Sequence, residues 1–229
     1  MKRFGALGMA LLLMLSCGPG SVAATHDFTA RGNEPFWKIE ITDAGITFRT
    51  MEGETITISP KPESEIADDV ETYHVEVEGE KFSLGITDTL CIDTMSGMTF
   101  PKTVAVTHGE REFSGCGGDP ASLLHGEWAI EQIEGKAIVA KSEPTLTFGT
   151  DGRVYGNGSC NRYFVSYELT GEGLAFSQLG STKMACEQPF MDQEFIFLQI
   201  LGAVSRFEFD TEGKLVLHSD DGTLVASRK

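Results

Sequence analysis

The sequence predicts a mainly β chain of two small antiparallel β-barrel-like domains, the second carrying one packed α-helix. Three observations predict it. Apolar and polar residues alternate with period two along most of the chain, turn-forming residues recur at roughly strand-length intervals, and a single stretch switches to helical spacing.

Taken in order, residues 1–24 form an export signal, residues 25–118 an N-terminal β domain and residues 122–229 a second domain. In Phe36 to Thr42, Trp37, Ile39 and Ile41 share one face, and Lys38, Glu40 and Thr42 the other. Asp43-Ala44-Gly45 turns the chain into Ile46 and Phe48. Thr55 to Ser59, Tyr73 to Val77 and Phe82 to Ile86 follow the same rule, with a hairpin turn at Glu78-Gly79-Glu80. Thr103 to Thr107 and Arg111 to Phe113 form another hairpin, and Pro60 to Asp69 reads as a polar loop. Gly115 to Ser122 is a cluster of breakers that ends the first domain. Beyond it, Trp128, Ile130 and Ile133 open a strand, and Leu146 and Phe148 face Val154 and Tyr155 across Thr150-Asp151-Gly152. Pro189 suits the first turn of a helix whose Phe190, Glu194, Phe195, Leu198 and Leu201 recur at helical spacing up to Gly202. Hairpins at 210–213 and 219–222 complete the chain.

The amino terminus sets the compartment. Lys2 and Arg3 precede an apolar stretch of signal-peptide length, too short to span a bilayer comfortably. Met14-Leu15-Ser16-Cys17 reads as a lipobox that makes Cys17 an acylated amino terminus, and Gly18 then favours the outer membrane. Cleavage after Ala24 is the competing reading, which leaves a soluble periplasmic chain. Both remove Cys17 from the thiol count and leave Cys91, Cys116, Cys160 and Cys186. The simplest pairing is Cys91–Cys116 and Cys160–Cys186, one disulfide per domain, although four cysteines allow three pairings. Without Lys2 and Arg3, the 18 basic residues fall to 16 against 34 acidic ones, a formal charge of −18. Such a surface repels nucleic acid and anionic lipid and attracts basic partners.

Several motifs in the second half carry a resemblance. Leu124-x-Gly126-x-Trp128, Gly156-x-Gly158-x-Cys160-Asn161-Arg162-Tyr163, Ser181-Thr182-Lys183-Met184-Ala185-Cys186 and the helix Glu194-x-x-Phe197-Leu198-x-x-Leu201 together resemble the META domain, also called HslJ-like. The resemblance implies a compact β-rich domain with one helix, set in the bacterial envelope. Its prototype is linked to heat stress and novobiocin resistance, and no enzymatic activity is established for it. The first half resembles a group of bacterial envelope lipoproteins through Arg31-Gly32-Asn33-Glu34-Pro35-Phe36-Trp37 and Met95-Ser96-Gly97-Met98-Thr99-Phe100-Pro101, with Phe100 where Tyr is usual. No activity comes with that resemblance.

The candidate binding residues follow from these motifs. Asn161, Arg162, Thr182 and Lys183 would be gathered by a Cys160–Cys186 disulfide into a polar, basic patch. They serve either for docking or to satisfy the backbone of a tight loop. Asn33, Glu34 and Trp37 form either a recognition feature or a turn, a strand entry and a barrel-end filler. Met95 and Met98 are too few sulfur ligands for Cu(I), and His26, His74, His108, His125 and His218 lack zinc-ligand spacing. Ser96 and Ser159 lack the strand–turn–helix setting of a hydrolase nucleophile. The sequence therefore predicts a monomeric, non-enzymatic envelope module without cofactor or metal. Its partner would be an envelope protein or a small ligand, and its role would lie in envelope stress or antibiotic tolerance. Two alternatives stand beside it: an inhibitor of a basic host enzyme such as C-type lysozyme, and a small-ligand binder using a barrel mouth.

Overall fold

The computed structural model describes residues 28–171 and 173–229. The signal segment, Cys17 and His26 lie outside the described residues. The chain is mainly β, in two antiparallel sheets, each curled around its own hydrophobic core.

The first sheet is built from β1 (Phe28–Asn33), β2 (Phe36–Thr42), β3 (Gly45–Thr50), β4 (Thr55–Ile58), β5 (Ser64–Ala67), β6 (Val70–Val77) and β7 (Glu80–Thr87). After the short ribbon β8 (Cys91–Ile92) and β9 (Thr99–Phe100) come β10 (Lys102–His108) and β11 (Arg111–Gly117). The order is β4-β3-β2-β1-β11-β10-β7-β6-β5, so β4 and β5 are its two edges and the barrel is half closed. The predicted alternation holds: Trp37, Ile39 and Ile41 point inward beside Ile46 and Phe48, and Phe48 meets Phe113 and Phe82 at 5.1 and 5.9 Å. Each such buried side chain contributes about 1.5–3 kcal/mol.

One expectation is corrected here, and two features go beyond the alternation in the sequence. The polar segment 60–69 contains the edge strand β5. It enters β6 through Asp68 and Asp69, whose φ angles of 50° and 63° match a two-residue type I′ hairpin turn. β1, unmarked by alternation, pairs along its whole length with β2. The breaker cluster is still strand as far as Gly117, because β1 passes so close that a side chain at Gly115 would strike the Arg31 carbonyl.

The second sheet follows a single-turn helix, α1 (Ala121–Leu124). It comprises β12 (Gly126–Ile133), β13 (Lys136–Ala137), β14 (Thr145–Phe148), β15 (Arg153–Asn157), β16 (Arg162–Thr170), β17 (Gly173–Phe176) and β18 (Gly180–Ser181). The long helix α2 (Gln188–Gly202) precedes β19 (Val204–Phe209), β20 (Leu215–Ser219) and β21 (Gly222–Arg228). The order β17-β16-β15-β14-β12-β21-β20-β19 nearly closes. β17 reaches β19 because Gly173 has no Cβ to collide with the Ser205 carbonyl. Trp128, Leu146, Phe148, Leu174 and Phe197 fill the interior. Ile130 and Ile133 both face inward despite their spacing of three, since a bulge between Ile130 and Gln132 resets the phase. On α2 the buried face is Gln193, Glu194, Phe197, Ile200 and Leu201, whereas Phe195, expected on that face, is 70% exposed.

Both expected disulfides are present, Cys91–Cys116 and Cys160–Cys186. The two halves are also joined by apolar contact. Met98 and Phe100, from the loop between Cys91 and Cys116, pack into the core of the second sheet.

Candidate functional site

Asn161 and Glu194 organise the loop that carries the second disulfide. Glu194 projects from α2 into the barrel end, where it is only 7% exposed. Its Oε2 accepts the backbone N–H groups of Cys160 and Asn161 at 2.9 and 2.5 Å, and its Oε1 accepts Asn161 Nδ2 at 2.7 Å. Asn161, itself buried, passes the network on. Its Oδ1 accepts the Met184 N–H at 2.7 Å and the Thr182 hydroxyl at 2.8 Å, and its Nδ2 lies 3.3 Å from the Met184 carbonyl. Thr182 Oγ1 accepts the Arg162 N–H at 3.2 Å. A buried polar group is tolerated only when its hydrogen bonds are made, and here they are.

Gln193, the neighbour of Glu194, does the same for a second loop. Its Oε1 accepts the Val139 N–H at 2.6 Å, and its Nε2 donates to Ser142 and Ser159 Oγ at 2.8 and 2.6 Å. The sequence reading missed this role. A Gln-Glu pair on the apolar side of an amphipathic helix was the available signal. Ser159 Oγ faces the Ser142 hydroxyl at 2.9 Å and the Gln193 amide at 2.6 Å.

The predicted patch therefore divides. Asn161 and Thr182 hold the loop, while Arg162 and Lys183 are exposed and form no ion pair among the described residues. Around them stand apolar side chains that a strand face usually replaces with polar ones. Tyr155 and Phe164 sit directly opposite each other on the outer face of β15 and β16, 51% and 67% exposed. Arg162 is opposite Asn157 and Arg153 opposite Ser166, so each arginine flanks the aromatic pair. The Phe164 ring lies on Gly180, where a Cβ would stand 2.6 Å from its Cζ. Met184, 59% exposed, emerges from the same loop.

The first-half motif is anchored in the fold through Trp37 and Asn33. Trp37 is 3% exposed, stacks against Gly32 and donates Nε1–H to the Ser114 carbonyl at 3.2 Å. Asn33 Nδ2 donates to Thr94 Oγ1 at 3.3 Å, and Glu34 is exposed. Arg31 reaches the buried Asp93 at 3.6 Å. Burial opposes ionisation of Asp93. Hydrogen bonds from the Ser96 N–H and hydroxyl and the Met95 N–H outweigh it, and hold the carboxyl below its ordinary value. The two motifs of the first half are thus one construction, in which the Arg31–Asn33 strand end clamps the disulfide loop.

Met95 is exposed and Met98 buried, so their sulfurs serve different environments. His108 lies between Glu54 and Glu80, at 3.2 and 3.4 Å, and Arg111 pairs with Glu54 at 2.6 Å and lies 3.0 Å from His108 Nδ1. Among the described residues, no three His, Cys, Asp or Glu side chains gather as a metal site.

Sequence comparison gives the second half its family. Residues 121–229 match the META domain. The Asn161–Glu194 network, the Cys160–Cys186 disulfide and the Tyr155–Phe164 face all lie within this META domain. It is similar to a protein from Burkholderia xenovorans solved by NMR, with 31% identity over 48% of this chain and 86% of that one, at a TM-score of 0.39. A second NMR structure is 23% identical over 48% of this chain and 95% of that one, at a TM-score of 0.41. No curated protein matches the chain. The META family is not known as enzymatic, and the META domain and the two disulfides are consistent with an extracytoplasmic envelope location.

Proposed function

We propose that this chain is a non-enzymatic binding module of the bacterial envelope, held at the outer membrane through Cys17 or free in the periplasm. It acts stoichiometrically, supporting the envelope under stress or antibiotic challenge by engaging a partner protein. The observation that carries this reading is the outer face of β15 and β16. There the exposed Tyr155 and Phe164 lie beside Arg162, with Lys183 on the adjoining disulfide loop, and neither cation has an ion-pair partner among the described residues. Aromatic residues and arginine dominate binding hot spots because they bring large contact area together with directional polar groups. Beneath them the Asn161–Glu194 network and the Cys160–Cys186 disulfide keep the face rigid, so little ordering entropy opposes docking.

A photo-crosslinking amino acid at position 164, introduced in living cells, tests the reading. A discrete adduct that disappears in Arg162→Glu/Lys183→Glu chains, and is absent with the crosslinker at exposed Met51, is the expected result. No adduct at 164, with patch-altered cells as stress-tolerant as the parent, would reject it. Lipid labelling of Cys17 decides separately between the tethered and the soluble form.

A further inference from the structure

The first barrel leaves two edge strands, each paired on one side only. β4 and β5 are the two ends of its sheet, joined through Pro60-Lys61-Pro62 without a ladder between them. An open edge presents unpaired N–H and C=O groups, the template for an added strand. Ile66, in the middle of β5, shares the row of Glu71 and Ile86 on the concave side of the sheet. It lines a cavity of about 460 Å³ with Ile86, Ile41, Phe28 and Tyr73. It is nonetheless 78% exposed, and among the described residues no strand crosses the gap to cover it.

We propose that the β5 edge docks an extended cationic polypeptide segment, which adds a strand to the first sheet and covers Ile66. This site is separate from the META-domain face. The unpaired edge and the uncovered isoleucine call for an occupant, and charge selects which. Glu63, Glu65, Asp68 and Asp69 are exposed along this edge without ion pairs to basic residues among the described residues, while the cavity beneath is of mixed charge, lined by Glu71 and Asp88 together with Lys61 and Lys102, the last paired with Asp88 at 2.9 Å. Two copies of β5 brought edge to edge would set these carboxylates against each other, so a second copy is disfavoured. A strand alternating lysine or arginine with an apolar residue satisfies both needs. Its backbone pairs with Ser64–Ala67, one apolar side chain rests on Ile66, and its cations meet the carboxylates. The formal charge of −16 on the whole chain steers such a segment toward the protein.

The test is fluorescence anisotropy of the full chain with a labelled hexapeptide alternating lysine and valine, alongside the same peptide N-methylated at alternate amides. Saturable binding that weakens with salt, falls about tenfold for Ile66→Ser and for Glu65→Lys, and is lost on N-methylation supports the proposal. Both substitutions are at exposed positions, and near-ultraviolet circular dichroism checks that the fold is kept. Amide shifts at residues 64–67 on peptide addition locate the contact. Equal binding of the methylated peptide would reduce the effect to diffuse attraction by an acidic surface and overturn the proposal. Binding unchanged by both substitutions, no binding at all, or self-association through β5 would also overturn it.

Discussion

The guanidinium of Arg31 contacts Asp93 at 3.6 Å while lying 5.1 Å from the centre of the Phe100 ring. One side chain at the end of β1 therefore holds both the polar base of the Cys91–Cys116 loop and the aromatic residue that this loop inserts into the second core.

That arrangement makes the halves interdependent. Phe100→Ala removes a side chain that is 8% exposed and should cost about 3–5 kcal/mol. Because the lost contact joins two cores, urea unfolding of the variant should separate into two transitions where the parent shows one. A single, merely shifted transition would mean that the halves are coupled by other contacts.

Asp93 gives the first half a pH dependence. Its carboxyl titrates lower in the folded chain than in the unfolded one, so its contribution to stability is complete above the ordinary aspartate value of about 3.9 and is lost as pH falls through the lower folded value. Acid titration of the parent should show stability declining below about pH 4. Asp93→Asn should be less stable at neutral pH and flatter in that window. An identical slope in both would remove Asp93 from the account.

Glu194→Ala leaves the N–H groups of Cys160 and Asn161 without their acceptor inside the barrel end. The expected loss is about 2–4 kcal/mol, read from the urea midpoint. Asn161→Ala should fall in a similar range and be strongly non-additive with Glu194→Ala in the double variant, because the two share one network. Additive losses would show two independent contacts.

Phe164→Ser, Arg162→Glu and Lys183→Glu should each alter stability by no more than about 0.5 kcal/mol, since these side chains are exposed. A larger loss in thermal melts would make the face part of the scaffold and weaken its case as a docking surface.

Much of the fold was legible because half-buried strands write their faces into sequence. Trp37, Ile39 and Ile41 alternate, and they are buried as the alternation requires. The failures have physical causes. β5 is exposed along its length and so has no apolar face to display, and its Asp68-Asp69 turn lacks the glycine that usually signals a tight hairpin. The bulge in β12 and the displaced face of α2 depend on neighbours distant in the chain. At the candidate site, Asn161, Arg162, Thr182 and Lys183 were found because the two cysteines mark the loop. Glu194, 33 residues from Asn161, was visible only as a point on a helix. Tyr155 and Phe164 carried a readable signal, bulky aromatics standing out of phase with the buried Val154 and Val165.

The contrast between the two barrels bears on how each tolerates mutation. With Gly173 tucked against Ser205, the second barrel has almost no border at which a stray strand can add, and its surface charges have no open edge to guard. The first barrel has no such freedom. Exchanging Glu65 for valine would remove one of the charges that hold two β5 edges apart, so the same carboxylates guard this border against self-pairing.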